Sequence, residues 1–240
     1  MSTFVLVHGS WHGAWCWERI VLMLEEAGHR VIALDLPGHG QDHTPLAEVN
    51  LKSYTDHLNA ILEKESEKVI LVGHSMAGLV ISQTAEYLPE KIEKLVYLCA
   101  YLPENGQTLL QISQNEKKDK ESPSIVIISE DQTFMDIKDE LIKESFYGDC
   151  SEEEVIKAKE KLCLEPLAPF FTPVNLTAAR FGMIPRVYIE TLRDKAISIG
   201  LQRDMYTVSH CNQVITMDSD HSPFFSHPGE LSSHLIHLTF

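Results

Sequence analysis

The sequence is short of positive charge. Lys and Arg number 20 against 35 Asp and Glu, a formal net charge of −15. Nucleic acids and anionic membranes are held by basic footprints, so neither is an expected partner. Cysteine is sparse and unpatterned. Cys16, Cys99, Cys150, Cys163 and Cys211 are scattered, odd in number and free of any C-x-x-C pair. This argues against a disulfide framework or a structural zinc site and fits reduced thiols in a cytoplasmic protein. No run reaches the roughly 18 apolar residues of a membrane span. The opening "MSTFVLVHG" has no basic region ahead of an apolar one, so no secretory signal is expected. Internal repeats and low-complexity tracts are absent as well.

What is present is a 240-residue chain, 44% hydrophobic, long enough for one large core. Short apolar runs punctuate it: Phe4–Val7, Val31–Leu34, Val69–Val72, Leu95–Leu98, Arg186–Glu190 and Gln213–Met217. Continuous apolarity marks strands of a parallel sheet covered on both faces. Amphipathic stretches at Ala14–Ala27, Leu51–Lys64 and Ser75–Leu88 alternate with the early runs, and Gly28 is a helix stop after the first. Strand–helix–strand alternation implies right-handed crossovers and an α/β, doubly wound, mostly parallel sheet. The rhythm breaks after Tyr101 and resumes at Arg186. Residues 103–185 are therefore read as an inserted, mainly helical cap, with a short strand at Ser124–Ser129, between core segments 1–102 and 186–240.

The strongest local signal is "VILVGHSMAGLVIS". It reads as strand, then Gly73-His74-Ser75-Met76-Ala77, then helix, a G-x-S-x-G pattern with Ala77 in the last place. Such a turn holds a serine hydroxyl up at the sheet edge, and small neighbours let the backbones approach. A serine nucleophile needs a base, and the base needs an orienting acid, in the chain order Ser, acid, His. His221 follows the run Gln213–Met217 in a polar loop, whereas His210 precedes it at the wrong end. Asp194 stands just beyond the run Arg186–Glu190, with Glu190 as the alternative. Ser75, Asp194 and His221 are the candidate catalytic residues.

The stretch "HGSWHGAWCW", His8–Trp17, follows the first strand at the same sheet edge. It is a candidate for the backbone amides that hold a developing oxyanion. The Ser10 N–H is the expected donor there, and the Met76 N–H, after the nucleophile, is the other. A zinc reading of His8 and His12 needs a helix, which Gly9 and Gly13 disfavour. "DLPGHGQD" lacks the G-K-[ST] ending of a P-loop. No metal or organic cofactor is expected. Candidate pocket residues are Trp11, His74, Phe134, Phe146, Phe170 and Phe224, with Phe171 as a further aromatic.

These motifs, H-G-S-x-H-G-A-W, D-L-P-G-H-G, G-H-S-M-A-G and the late "DHSP", resemble the α/β-hydrolase superfamily. The branch they resemble contains plant methylesterases, hydroxynitrile lyases and bacterial pyrethroid hydrolases. "TPVNLTAARFGMIPRVYIETLRDKAISIGLQRDM" and "DHSPFFSHPGEL" are similar to the pyrethroid-hydrolase-like carboxylesterases. The likeness spans nearly the whole chain and is weakest between Asn105 and Lys143. It implies Ser75 as nucleophile, Asp194 as acid, His221 as base, Ser10 and Met76 as oxyanion-hole amides, and a cap. Two departures separate the chain from the lyases: Ser222 stands where they carry lysine, and Gly9 where they carry threonine. The expected activity is hydrolysis of small to medium hydrophobic esters. The rivals are a carbon–carbon lyase and a ligand receptor that keeps the triad. Oligomeric state is open between monomer and homodimer.

Overall fold

The computed structural model describes residues 1–116 and 125–239. Six parallel strands form the main sheet: β1 (Thr3–Val7), β2 (Arg30–Leu34), β3 (Val69–His74), β4 (Ile92–Leu98), β8 (Arg186–Thr191) and β9 (Gln213–Met217). Their spatial order is β2-β1-β3-β4-β8-β9. The register pairs Val7 with Gly73, His74 with Leu98, and Leu98 with Ile189. The loops that leave these strands therefore emerge together along one edge of the sheet.

Burial follows position. Every residue of β3 is buried at the centre of the sheet, while the outer strand β2 is mostly half-buried and the outer strand β9 mostly exposed. Apolar side chains on the two faces belong to separate clusters. One, with Val5, Leu71, Tyr54 and Val80, lies under the helices Leu51–Leu62 and Ala77–Tyr87. The other, with Phe4, Val72, Trp17 and Leu235, lies under the helices Glu18–Glu26 and Pro228–His237. The expected first helix divides: Ala14–Trp17 is a tighter 3-10 turn before Glu18–Glu26 begins. Gly28, at φ 85°, follows it in the left-handed conformation that glycine adopts without a Cβ clash.

Between β4 and β8 the chain builds more than helices. Strands β5 (Val126–Ile128), β6 (Phe134–Ile137) and β7 (Glu165–Pro166) form an antiparallel sheet, beside the helices Asp139–Phe146 and Glu152–Lys159. Of the strand expected at Ser124–Ser129, Val126–Ile128 pairs with β6, and Ser124 lies outside the described residues. A third apolar cluster, including Met135, Ile142, Phe146, Tyr147 and Leu167, includes Trp11 from the loop after β1. No helix among the described residues is long and apolar enough to cross a membrane.

Candidate active site

Ser75 occupies the turn between β3 and the helix Ala77–Tyr87, at φ 54°. A side-chain-bearing residue in this left-handed region costs about 1–2 kcal/mol, so the surroundings must enforce it. Three backbone hydrogen bonds do so. The Ser75 N–H donates to Leu98 O (3.3 Å), and the Ser75 carbonyl accepts from Gly78 N (3.1 Å) and Tyr101 N (3.0 Å). Small residues are required around it. A Cβ on Gly73 would come 2.9 Å from Ile81 Cδ1, and one on Gly78 only 1.9 Å from the Tyr101 carbonyl oxygen.

His221 is 1% exposed, in the loop after β9. Its Nδ1 lies 2.7 Å from Asp194 Oδ2, in the loop after β8. Asp194 is buried too, and its charge is met by donors. Oδ1 accepts from the N–H groups of Ala196 and Ile197, both at 2.8 Å. Oδ2 accepts from Thr191 Oγ1 (3.1 Å) and Gln202 Nε2 (3.3 Å). A carboxylate held this way makes the imidazole Nδ1–H the donor and leaves Nε2 as an acceptor. Glu190 is engaged elsewhere: Arg203, Tyr206 and Thr216 all donate to it.

The other expected residues fall into distinct places. His74 is buried behind His221, the ring centroids 4.6 Å apart, and its Nε2 donates to the His221 carbonyl (2.9 Å). Phe224 is fully buried below His74 and Trp17, at 4.9 and 5.1 Å between ring centroids. Phe146 is buried with its ring 5.6 Å from His221 and 5.7 Å from Trp11. Phe134 is on β6, half-buried, paired with Pro166. Phe170 is half-buried in the short helix Ala168–Phe171, where Phe171 faces solvent. His74, Cys99 and His221 offer ligand atoms within 4.8 Å of one another. The His74 and Cys99 atoms instead face the His221 carbonyl, and His221 Nδ1 faces Asp194.

The Gly9–His12 loop is tied down atom by atom, mostly by residues that local pattern does not mark. His8 Nε2 accepts from Leu36 N (3.0 Å), which makes Nδ1–H the donor to Gly9 O (2.8 Å). In a trans peptide the N–H points away from the C=O. Holding the Gly9 carbonyl therefore turns the Ser10 N–H to the opposite side. His12 Nδ1 donates to Ser10 O (2.7 Å), while Tyr147 O–H donates to His12 Nε2 (2.6 Å). Among the described residues, neither the Ser10 N–H nor the Met76 N–H donates within the chain. Burial pushes the pKa of His8 and His74 well below the ordinary histidine value, and that of His12 down to about 4. Neutrality is required of His8 by the N–H it accepts from Leu36, and burial favours the neutral form of His12 and His74.

Asp220, buried next to His221, accepts from Asp149 N (3.0 Å), Ser222 N (3.1 Å) and Ser226 Oγ (2.8 Å). It joins the His221 loop to the segment between β4 and β8. An acid directly before a candidate base was a usable signal for it; the partners were not readable.

A parallel sheet with a strained serine turn, a buried His–Asp pair and loops converging on one edge defines an α/β hydrolase, and the chain belongs to that family: the model for the "Alpha/beta hydrolase family" matches residues 4–233. Within it the chain sits in the methylesterase-like branch. It is 37% identical to putative methylesterase 11, chloroplastic, of Arabidopsis thaliana over 98% of its own length, and spans 63% of that protein. It is 32% identical to methylesterase 7 of Arabidopsis thaliana, covering 98% of this chain and 95% of the relative. A solved pyrethroid hydrolase from Sphingobium faniae JZ-2 superposes with a TM-score of 0.87 at 28% identity, over 99% of this chain and 96% of that one.

Proposed function

We propose that this protein is a serine carboxylesterase that works through an acyl-enzyme. The observation that carries the reading is the buried Asp194–His221 hydrogen bond of 2.7 Å, at the sheet edge where Ser75 is held at φ 54°. His221 Nε2 takes the proton of the Ser75 hydroxyl as its oxygen attacks the ester carbonyl. Asp194 fixes the tautomer and stabilises the imidazolium that forms. The Ser10 and Met76 N–H groups hold the oxyanion. His221 then protonates the leaving alcohol, and water repeats the sequence on the acyl-enzyme, returning Ser75 and releasing the acid.

Relatives described as methylesterases and a pyrethroid hydrolase support esters as the substrate class. Small to medium hydrophobic esters fit the aromatic surroundings, with the Phe146 ring 5.6 Å from that of His221 and Trp11 packed against Phe146. Residues 103–185 serve as the cap, no cofactor takes part, and the site of action is the cytoplasm. The lyase alternative lacks its lysine at Ser222.

The test is hydrolysis of p-nitrophenyl acetate and butyrate at neutral pH, by wild type and Ser75→Ala, with intact mass after exposure to a fluorophosphonate. Turnover and a single covalent adduct in wild type, both lost in the variant, are expected. Folded wild type with neither turnover nor adduct overturns the reading.

A further inference from the structure

Glu165 is wholly buried on β7, yet the hydrolase chemistry does not use it. Its carboxylate reaches three elements of the core. Oε2 accepts from the Trp11 N–H (2.8 Å) and from His39 Nε2 (2.9 Å). Oε1 accepts from the Tyr54 hydroxyl (3.3 Å). His39 Nδ1 faces the Pro37 carbonyl at 3.2 Å, so both ring nitrogens meet acceptors and the imidazole is held as a cation. The Glu165 charge raises the His39 pKa against the opposing effect of burial.

Trp11 is the residue next to Ser10, and it stands at φ 62°. A tryptophan does not adopt that conformation without enforcement. The enforcement comes from one short piece of chain 152–154 residues away. Glu165 takes the Trp11 N–H, and the Cys163 N–H donates to the Trp11 carbonyl at 2.9 Å. The two peptides flanking Ser10 are thus clamped from both ends. His8 holds the Gly9 carbonyl, and His12 and Glu165 hold the Ser10–Trp11 peptide.

We infer that Glu165 is a positioning residue, carried by the insertion, which sets the Ser10 N–H for the oxyanion by anchoring the Trp11 backbone. This rests on the esterase reading above. Its consequence is that the oxyanion donor is in place only when the segment carrying Cys163 and Glu165 is docked. Loss of the anchor should appear in the transition state and not in substrate binding, because the Ser10 N–H that it sets bonds the oxyanion only as charge develops there.

Three variants test it with p-nitrophenyl butyrate and with butylboronic acid, which forms a tetrahedral adduct on the serine. Glu165→Met keeps the length and removes the acceptor. Glu165→Met/His39→Leu also removes the orphaned cation; replacing a buried ion pair by apolar groups is often neutral for folding, and Trp11 N–H still has no acceptor. Glu165→Gln keeps a carbonyl for Trp11. The two Met variants should lose about 10–100-fold in kcat, with KM within about twofold and boronate affinity falling in step. Glu165→Gln should stay within about threefold of wild type. A folded double variant with wild-type kcat overturns the inference. So does a loss confined to KM with boronate affinity unchanged. Wild type without turnover or adduct overturns the esterase reading, and this inference with it.

Discussion

Gly9→Ala is the sharpest perturbation of the proposed oxyanion side. Gly9 lies outside the left-handed region, so alanine brings no backbone strain of its own, and the effect is steric. Its Cβ would meet His74 Nδ1 at 2.8 Å, Ser75 Cβ at 2.8 Å and His74 O at 3.2 Å. Ordinary contact begins near 3.4 Å, so about 0.6 Å of separation must be found. It cannot come from the serine turn, which three backbone hydrogen bonds hold. It must come from the Gly9–Ser10 peptide, which carries the proposed oxyanion donor away from Ser75. A displacement approaching 1 Å at such a group costs about 100-fold in rate, against roughly 100–1,000-fold for losing a donor outright. Overpacking costs a further 1–3 kcal/mol of stability, a fall of about 3–10 °C in thermal midpoint for a chain of this size. The assay is kcat and KM for p-nitrophenyl butyrate beside a thermal melt. A Gly9→Ala protein with wild-type kcat would refute the claim that this loop presents the donor.

Two further outcomes follow from the same geometry. Gly78→Ala drives a Cβ to 1.9 Å from the Tyr101 carbonyl oxygen, a backbone atom that cannot rotate away. The start of the helix Ala77–Tyr87 must shift, and a melt should show about 3 kcal/mol or more of destabilisation, with activity falling alongside; unchanged stability would contradict the packing. Stability should also fall as pH drops from 6.5 towards 4. His8, His12 and His74 are neutral when folded, with pKa values lowered by burial, so the unfolded chain binds more protons in that window. His12 alone, shifted from 6.5 to about 4, accounts for about 3 kcal/mol. His39, whose pKa is raised, opposes nothing here: its contribution is complete below 6.5 and is lost only as pH rises through its folded value. His12→Gln keeps a donor for Ser10 O and an acceptor for Tyr147 but does not titrate, so its midpoint should decline less steeply; an equal slope would refute the assignment.

Local pattern made much of this protein legible. Apolar runs bounded by turns marked the six main strands because a parallel strand covered on both faces must be apolar throughout. The glycine- and alanine-flanked Ser75 marked its turn, because only small residues fit where β3, the helix and Tyr101 converge. His221 and Asp194 could be picked out because each follows a core strand, and all such loops open on one edge. The edge strands β2 and β9 were less buried than their composition implied, since the outer side of a sheet has one neighbour and not two.

Other assignments belonged to the tertiary structure. Asp194 and Glu190 are four residues apart and chemically alike; the helix Ile199–Val208 separates them, giving Arg203 and Tyr206 to Glu190 and Gln202 to Asp194. His74, adjacent to the serine, lies behind His221 because the β3 pleat turns its side chain into the protein. Residues 103–185 were expected to be mainly helical, and they contain a three-stranded sheet whose last strand delivers Glu165 to Trp11, His39 and Tyr54. Those partners are 111 to 154 residues away in the chain. The sequence alone determined which loops could carry chemistry, since strand periodicity and turn chemistry act over a few residues. Only the docked chain decided which polar atoms meet. A buried carboxylate finds its donors by long-range packing, and no local pattern records it.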